Sequence, residues 1–179
     1  CRLRARIHGV GSRDVFNERG RIDVETFVEA AALAVLDSGL LDDGLRIRYR
    51  QRIDAIADEL RARIDVIGPI RSLRLHGDCH IGNVLWTDGG PHFVDLDDAR
   101  MGPAVQDLWM LAPSRRAMDL LLEGYAEFRD FDYGELALIE PLRLMRQIHW
   151  AGWVAARWHD PAFPRAFPQV GEARWWEQH

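Results

Sequence analysis

The segment at residues 73–98 constrains the fold of this chain more than any other. Leu73-Arg74-Leu75 predicts a strand, which leads into the polar loop His76-Gly77-Asp78-Cys79-His80-Ile81-Gly82-Asn83. Val84-Leu85-Trp86 and His92-Phe93-Val94 flank a glycine-rich stretch, a pattern typical of a β-hairpin. Asp95-Leu96-Asp97-Asp98 follows directly. The segment therefore predicts a small β element with a polar loop on either side.

Most of the remaining chain has helical periodicity. Apolar residues recur at helical spacing, and Gly68-Pro69 ends the clearest run. The predicted helices are residues 24–37, 50–67, 104–111, 115–128 and 134–159, with the end of a helix at 2–8 and the beginning of one at 174–179. Pro141 predicts a kink or a restart, and residues 160–168 predict a loop rich in proline and phenylalanine. We expect an α+β fold, with one mostly helical domain carrying a small β insert.

Composition narrows the class of protein. The chain is 47% hydrophobic and 28% charged, as is usual for a soluble globular protein. It has no signal-peptide pattern and no apolar run long enough to span a membrane. Cys1 and Cys79 lack the spacing of a disulfide scaffold, so we expect a cytoplasmic location. The net charge of −5 argues against a nucleic-acid partner, and we expect no membrane partner.

The spacing of three polar residues suits phosphoryl transfer to an alcohol. Such a reaction needs a carboxylate to accept the hydroxyl proton and hard oxygen ligands to hold Mg²⁺ on the phosphates. Asp78 is followed five residues later by Asn83, and Asp95 comes after the hairpin. This pattern predicts Asp78 as the catalytic base. Asn83 and Asp95 are predicted to bind Mg²⁺ and, through it, the nucleotide, so that Asp95 is counted with the catalytic residues as well.

Several alternatives remain open for these polar residues. Asp78 and Asn83 could merely cap turns, and His76-x-Asp78-x-His80 could belong to a Zn²⁺ or Mn²⁺ hydrolase site. In the phosphotransferase interpretation His76 packs beneath the metal-binding segment, and Cys79 is a small packed residue. Asp97 is then a carboxylate near the metal, Asp98 a surface or ion-paired residue, and Asp107 an acceptor for the loop backbone or a first-turn helix acid.

A family resemblance extends well beyond the catalytic motif. Its residues are Leu73 to His80 with Gly82-Asn83, Phe93 to Arg100, Gly102-Pro103-Ala104, Gln106 to Leu111, Ile139 to Arg143, and Trp158 through Pro164. They resemble the bacterial stress response kinase A family, within the aminoglycoside phosphotransferase and choline kinase branch of the protein-kinase-like fold. The resemblance covers most of the chain from about residue 70 onward.

The resemblance implies a Mg-ATP-dependent serine/threonine protein kinase linked to stress response. Carried over by position, Asp78 is the proton acceptor, while Asn83 and Asp95 bind Mg²⁺. The implied cofactors are Mg²⁺ and ATP, and the implied partner is a protein substrate. We expect a monomer at full length. Two alternatives remain: a small-molecule kinase acting on an aminoglycoside, choline or a sugar, and a non-catalytic binding remnant.

The sequence departs from the family pattern at its start. The chain does not begin with Met, and all 23 of its basic residues other than histidine are arginine. A phosphate-binding lysine would therefore have to come from outside residues 1–179. We expect residues 1–179 to be the C-terminal lobe alone, with the ATP-binding lobe preceding Cys1, and to show little activity in isolation.

Overall fold

A computed structural model describes residues 2–178 of the chain. Its helices are α1 (Arg2–Gly11), α2 (Ala30–Asp37), α3 (Asp43–Ile67), α4 (Gln106–Trp109), α5 (Arg115–Ala126), α6 (Ile139–Ala156), α7 (Ala162–Ala166) and α8 (Ala173–Gln178). A π-helical turn, Glu25–Glu29, runs into α2, and 3₁₀ turns occur at Ile81–Asn83, Tyr133–Leu138 and Pro168–Gly171. The strands are β1 (Leu73–Arg74), β2 (Val84–Thr87), β3 (Gly90–Phe93) and β4 (Met101–Gly102). The α+β class with mostly helical content is confirmed.

The described residues divide into two compact units. The first comprises residues 2–22 and 67–140, and the second residues 23–66 and 141–178. All three residues predicted to form the site lie in the first unit. None of the helices within residues 2–178 combines the length and the apolar character that a membrane crossing needs.

Two short antiparallel pairs organise the first unit. β1 pairs with β4, with Leu73 opposite Gly102, and β2 pairs with β3 in the predicted hairpin, with Val84 opposite Phe93. β4 was not predicted, because a strand of two residues carries no alternating pattern. β-branched and aromatic residues in β2 favour the extended backbone of the hairpin.

The first unit contains two clusters of buried apolar side chains. One consists of Ala5, Leu108, Met118, Leu122 and Tyr125, and the other of Leu73, Leu75 and Ala104. The first cluster joins side chains of α1, α4 and α5, so α1 is anchored to the same apolar core as the segment that follows β4. At about 25 cal/mol per Å² of apolar surface, burial of this kind supplies most of the stabilisation.

In the second unit the helices pack closely and proline sits only where it is tolerated. Gly152 of α6 lies so near α2 that an added Cβ would stand 2.6 Å from the Ala31 carbonyl oxygen. Pro141 falls in the first turn of α6, where its missing N–H removes no helical hydrogen bond. The predicted restart is therefore correct, whereas the loop predicted at 160–168 contains α7 with Pro164 in its first turn.

Candidate active site

Gly77 is the residue on which the predicted catalytic loop turns. Its backbone has φ +87°, and an added Cβ would lie 2.0 Å from the Asp98 carbonyl oxygen. The left-handed conformation disfavours any L side chain, and the contact leaves no room for one. Glycine at this position therefore allows the loop that carries Asp78 to lie directly against the loop that carries Asp95 to Asp98.

A hydrogen bond joins two of the predicted site residues directly. Asn83 ends the 3₁₀ turn that follows the loop, and its Nδ2 donates to the Asp78 carbonyl oxygen at 2.9 Å. Because the amide nitrogen is committed to this bond, Oδ1 is the atom of Asn83 that is oriented to act as a ligand. The Asp78 side chain is 18% exposed, with its Oδ1 atom buried and its Oδ2 atom 3.6 Å from His80 Nε2.

Val94 connects Asn83 to the third predicted residue. Its N–H donates to the Asn83 carbonyl oxygen at 3.1 Å, and its own carbonyl oxygen accepts from His76 Nε2 at 2.8 Å. Asp95 follows with φ +62°, a left-handed backbone that costs a residue other than glycine about 1 kcal/mol or more. The carboxylate of Asp95 is solvent-exposed. Both ends of the hairpin are thus fixed, and Asp95 is held in a strained conformation beside Asn83.

These residues fit a magnesium ion by the chemistry of their donors. The Asn83 amide oxygen and the Asp95 carboxylate are hard oxygen ligands, and Mg²⁺ commonly takes one or two protein ligands and completes its shell with phosphate and water. Within residues 2–178 no group of three or more His, Cys, Asp or Glu side chains is arranged to hold a metal ion. The two predicted ligands remain a prediction.

Asp107 and Gln106 hold the backbone of the catalytic loop. Asp107 accepts from the N–H of His76 at 2.8 Å and from the N–H of Gly77 at 3.0 Å, as predicted for this residue. Gln106 Nε2 donates to the Gly77 carbonyl oxygen at 2.9 Å. Both backbone groups of the residue before Asp78 are therefore fixed by side chains of α4.

The carboxylate of Asp107 is fully buried yet ionised. Burial acts to raise the pKa of Asp107, but hydrogen bonding from His8, the charge of Arg4 and the His76 N–H outweigh it and hold that pKa below its usual range. Arg4 Nη1 lies 3.2 Å and His8 Nε2 lies 3.1 Å from the same oxygen, Oδ2. Asp107 is thus an anion enclosed by donors.

The histidines and the cysteine of the loop have structural roles. His76 donates through Nε2 to the Val94 carbonyl oxygen, which confirms its position beneath the metal-binding segment. His80 Nδ1 accepts from the Gly82 N–H at 3.0 Å, and its Nε2 lies 3.6 Å from Asp78 Oδ2. Burial raises the pKa of Cys79 to about 12, so the thiol is protonated, as expected of a packed residue.

Asp98 is confirmed as an ion-paired residue, and sequence reasoning missed the arginine that fixes the neighbouring loop. Asp98 Oδ1 lies 2.7 Å from Arg100 Nη2. Arg19 Nη1 donates to the carbonyl oxygens of Leu96, Asp97 and Ala99 at 2.9, 3.0 and 3.2 Å. Nothing in the local sequence around Arg19 indicates this contact. The role predicted for the Asp97 side chain stays a prediction.

The roles of Arg4, His8 and Glu135 in the site were also not predicted from the sequence. Arg4 and His8 stand four residues apart on one face of α1, a spacing compatible with any solvated helix face. Glu135 accepts from the Val105 N–H at 2.8 Å and so fixes the turn that presents Gln106 and Asp107. Burial raises the pKa of Glu135 to about 7.

The site belongs to a recognised family. The sequence model of the phosphotransferase enzyme family matches residues 1–139, which include the loop, the hairpin and Asp107. The chain belongs to this family. The resemblance inferred from the motifs is thereby confirmed at the level of the family.

Several curated relatives are named stress response kinase A, which is the family that the motifs resemble. The chain is 43% identical over 185 residues to stress response kinase A of Escherichia coli (strain K12) and 39% identical over 184 residues to that of Salmonella choleraesuis (strain SC-B67). It is also 39% identical to a protein of Salmonella typhimurium (strain LT2) named serine/threonine protein kinase RdoA. Each match covers 99% of this chain but 55% of the relative. The chain therefore spans about half the length of these relatives.

Two solved structures share the fold at low sequence identity. Amicoumacin kinase, in complex with AMP-PNP, Ca²⁺ and its ligand Ami, matches 98% of this chain and 56% of its own, with a TM-score of 0.58 and 15% identity. Spectinomycin phosphotransferase, in complex with ADP and spectinomycin, matches 99% of this chain and 59% of its own, with a TM-score of 0.60 and 15% identity. At this identity the likeness establishes a kinase-like fold for the chain.

Proposed function

We propose that residues 1–179 form the C-terminal lobe of a Mg-ATP-dependent serine/threonine protein kinase. The observation that carries the proposal is the continuous hydrogen-bonded link from Asp78 to Asn83 and from Asn83 to Val94, next to Asp95. Family membership supports phosphoryl transfer as the reaction class. The 39–43% identity to kinases named for stress response favours a protein acceptor over the small molecules of the more distant structures.

The proposed chemistry assigns one role to each residue. Asp78 accepts the proton of a serine or threonine hydroxyl while the hydroxyl oxygen bonds to the γ-phosphorus and the bond to the bridging oxygen of the nucleotide breaks. Asn83 Oδ1 and the Asp95 carboxylate would hold Mg²⁺, which neutralises charge on the phosphates. The left-handed backbone at Asp95 and the fixed amide of Asn83 hold these ligands in place before the nucleotide arrives.

Residues 1–179 contain no lysine, so they include no phosphate-binding lysine. We therefore infer that the residues that cover the ATP phosphates lie outside this sequence and that the isolated lobe transfers phosphate slowly or not at all. The same proposal includes a protein substrate, a cytoplasmic location and a monomeric state at full length.

The test is transfer of the labelled γ-phosphate of Mg-ATP by the gene product at its full encoded length. A generic protein acceptor and a panel of amino-alcohols and aminoglycosides are offered in parallel, with Asp78→Asn and the exposed Asp88→Asn as paired variants. Labelled protein, lost in Asp78→Asn and kept in Asp88→Asn, supports the proposal. Labelling of small alcohols alone would assign the lobe to a small-molecule kinase. Absence of transfer together with absence of Mg-nucleotide binding would favour a binding remnant.

A further inference from the structure

Arg4 of α1 contacts three separate parts of the site scaffold. Its Nη1 donates to Asp107 Oδ2 at 3.2 Å, and its Nη2 lies 2.7 Å from Cys79 Sγ, next to Asp78. Its guanidinium also lies 3.7 Å from the centre of the Phe93 ring, two residues before Asp95. A single side chain from the first helix thus joins the catalytic loop, its anchor on α4 and the last strand of the hairpin.

This arrangement is a poor way to stabilise a core. Arg4 is 2% exposed, and its Nε is buried without a hydrogen-bond partner among the described residues. Removing a guanidinium from water is costly, and a buried ion pair is often no more stabilising than apolar side chains of similar volume. A methionine in this space would avoid the unsatisfied N–H. The contacts of Arg4 with the site therefore account for an arginine at this position better than a gain in folding free energy does.

The surroundings of Asp107 show what Arg4 contributes. His8 Nδ1 lies 2.9 Å from the Tyr125 hydroxyl, whose burial raises its pKa to about 12, so the hydroxyl keeps its proton and donates. Burial lowers the pKa of His8, so the ring is neutral and its Nε2–H donates to Asp107. His8 therefore supplies a hydrogen bond but no charge. Arg4 is the only guanidinium or ammonium within hydrogen-bond distance of this carboxylate among residues 2–178.

We propose that Arg4 is a positioning residue for phosphoryl transfer, which fixes the Asp107 carboxylate so that it holds the N–H groups of His76 and Gly77 and thereby orients Asp78. The inference rests on the proposed function for its catalytic part, whereas its geometric part stands on the contacts alone. Arg4 reaches the reacting atoms only through Asp107, Cys79 and Phe93. It orders the site and takes no part in the chemical step.

The experiment combines a local and a catalytic measurement on the same variants. Arg4→Met removes the charge at similar volume, Arg4→Lys keeps the charge but loses the forked geometry, and Arg6→Met makes the same change at an exposed arginine of the same helix. Hydrogen exchange is measured at the His76 and Gly77 amides and at reference amides of α5. Phosphoryl transfer is measured with the gene product at its full encoded length.

We expect Arg4→Met to speed exchange at His76 and Gly77 by about tenfold or more, with little change in α5. Its kcat should fall by about tenfold or more while KM for Mg-ATP stays within about twofold. Arg4→Lys should restore part of both quantities, and Arg6→Met should match the wild type. If Arg4→Met unfolds, Arg4→Lys provides the same test. It should show faster exchange at His76 and Gly77 and a lower kcat than the wild type, with unchanged exchange in α5.

Two results separate this inference from the proposed function. Loop exchange and kcat unchanged in both Arg4 variants would overturn the positioning role while leaving the kinase assignment intact. A wild type that transfers no phosphate to any acceptor, but whose loop exchange still depends on Arg4, would overturn the proposed function while supporting the geometric part of the inference.

Discussion

Substitution of Gly77 by alanine would disturb the contact between the two loops of the site. An added Cβ would lie 2.0 Å from the Asp98 carbonyl oxygen and 2.9 Å from its carbon, both backbone atoms that cannot rotate away. The φ of +87° adds a conformational cost of about 1–3 kcal/mol, or roughly 2–12 °C in Tm for a chain of this length. Gly77→Ala should therefore be destabilised, and part of the loss should come from displacement of the segment at Asp98.

The displacement also sets the expected loss of activity. Real Cβ atoms essentially never approach other atoms closer than 3.0 Å, so Asp98 or Gly77 must move by about 1 Å. A shift of about 1 Å in the groups that orient a reaction can cost about 100-fold in rate. We expect Gly77→Ala at full encoded length to lose about 100-fold in kcat with a smaller change in KM.

Gly9→Ala provides the matched control. Gly9 lies in α1 with no atom within 4 Å of an added Cβ, so alanine there should be neutral or stabilise by about 0.5–1 kcal/mol. Thermal unfolding and initial rates of phosphoryl transfer are measured for both variants and the wild type. If Gly77→Ala melts within 1 °C of Gly9→Ala and keeps its rate within about twofold, the close approach of the two loops is not required.

Two further predictions concern the buried carboxylates. Asp107→Asn should cost about 3–5 kcal/mol in urea unfolding, because it leaves the buried charge of Arg4 without its counter-ion; a loss below about 1 kcal/mol would contradict an ionised Asp107. The pKa of Glu135 is raised to about 7 in the folded protein, above its ordinary value of 4.5. Folding therefore favours the protonated form of Glu135, and the free energy of unfolding falls as pH rises from about 4.5 to 7. The difference in Tm between Glu135→Gln and the wild type should therefore increase as pH rises across that range, by an amount equivalent to at most about 3 kcal/mol. A difference in Tm that does not change with pH would show that the pKa of Glu135 is not raised.

The local parts of the site could be predicted from the sequence. The spacing of Asp78 and Asn83 fits a loop closed by one 3₁₀ turn, and the hairpin follows from strand-forming residues on both sides of a glycine-rich turn. The hydrogen bonds of Asp107 to the loop were also predicted, although Asp107 stands 30 or more residues from His76 and Gly77. These features depend on residue types whose chemistry is specific.

The supports that Arg4 and Arg19 provide could not be predicted. Arg4 lies 103 positions from Asp107, and a basic residue on a helix ordinarily faces solvent. Its burial depends on tertiary packing of α1 against the site, which no local pattern encodes. Arg19 is a similar case, because its guanidinium binds backbone carbonyl oxygens. Every residue has a backbone carbonyl, so the residue types do not identify the partner of Arg19. Residues that support a site are therefore harder to recognise in a sequence than the residues that carry its chemistry.

The most direct test of the proposed site is the location of a bound divalent ion in the gene product at its full encoded length. Paramagnetic Mn²⁺, which accepts the same oxygen ligands as Mg²⁺, is titrated with AMP-PNP while amide resonances are followed by NMR. The proposed site predicts broadening centred on Asn83 and Asp95, abolished by Asp95→Asn and kept in the nearby Asp97→Asn. Broadening centred elsewhere, or unchanged by Asp95→Asn, would contradict it.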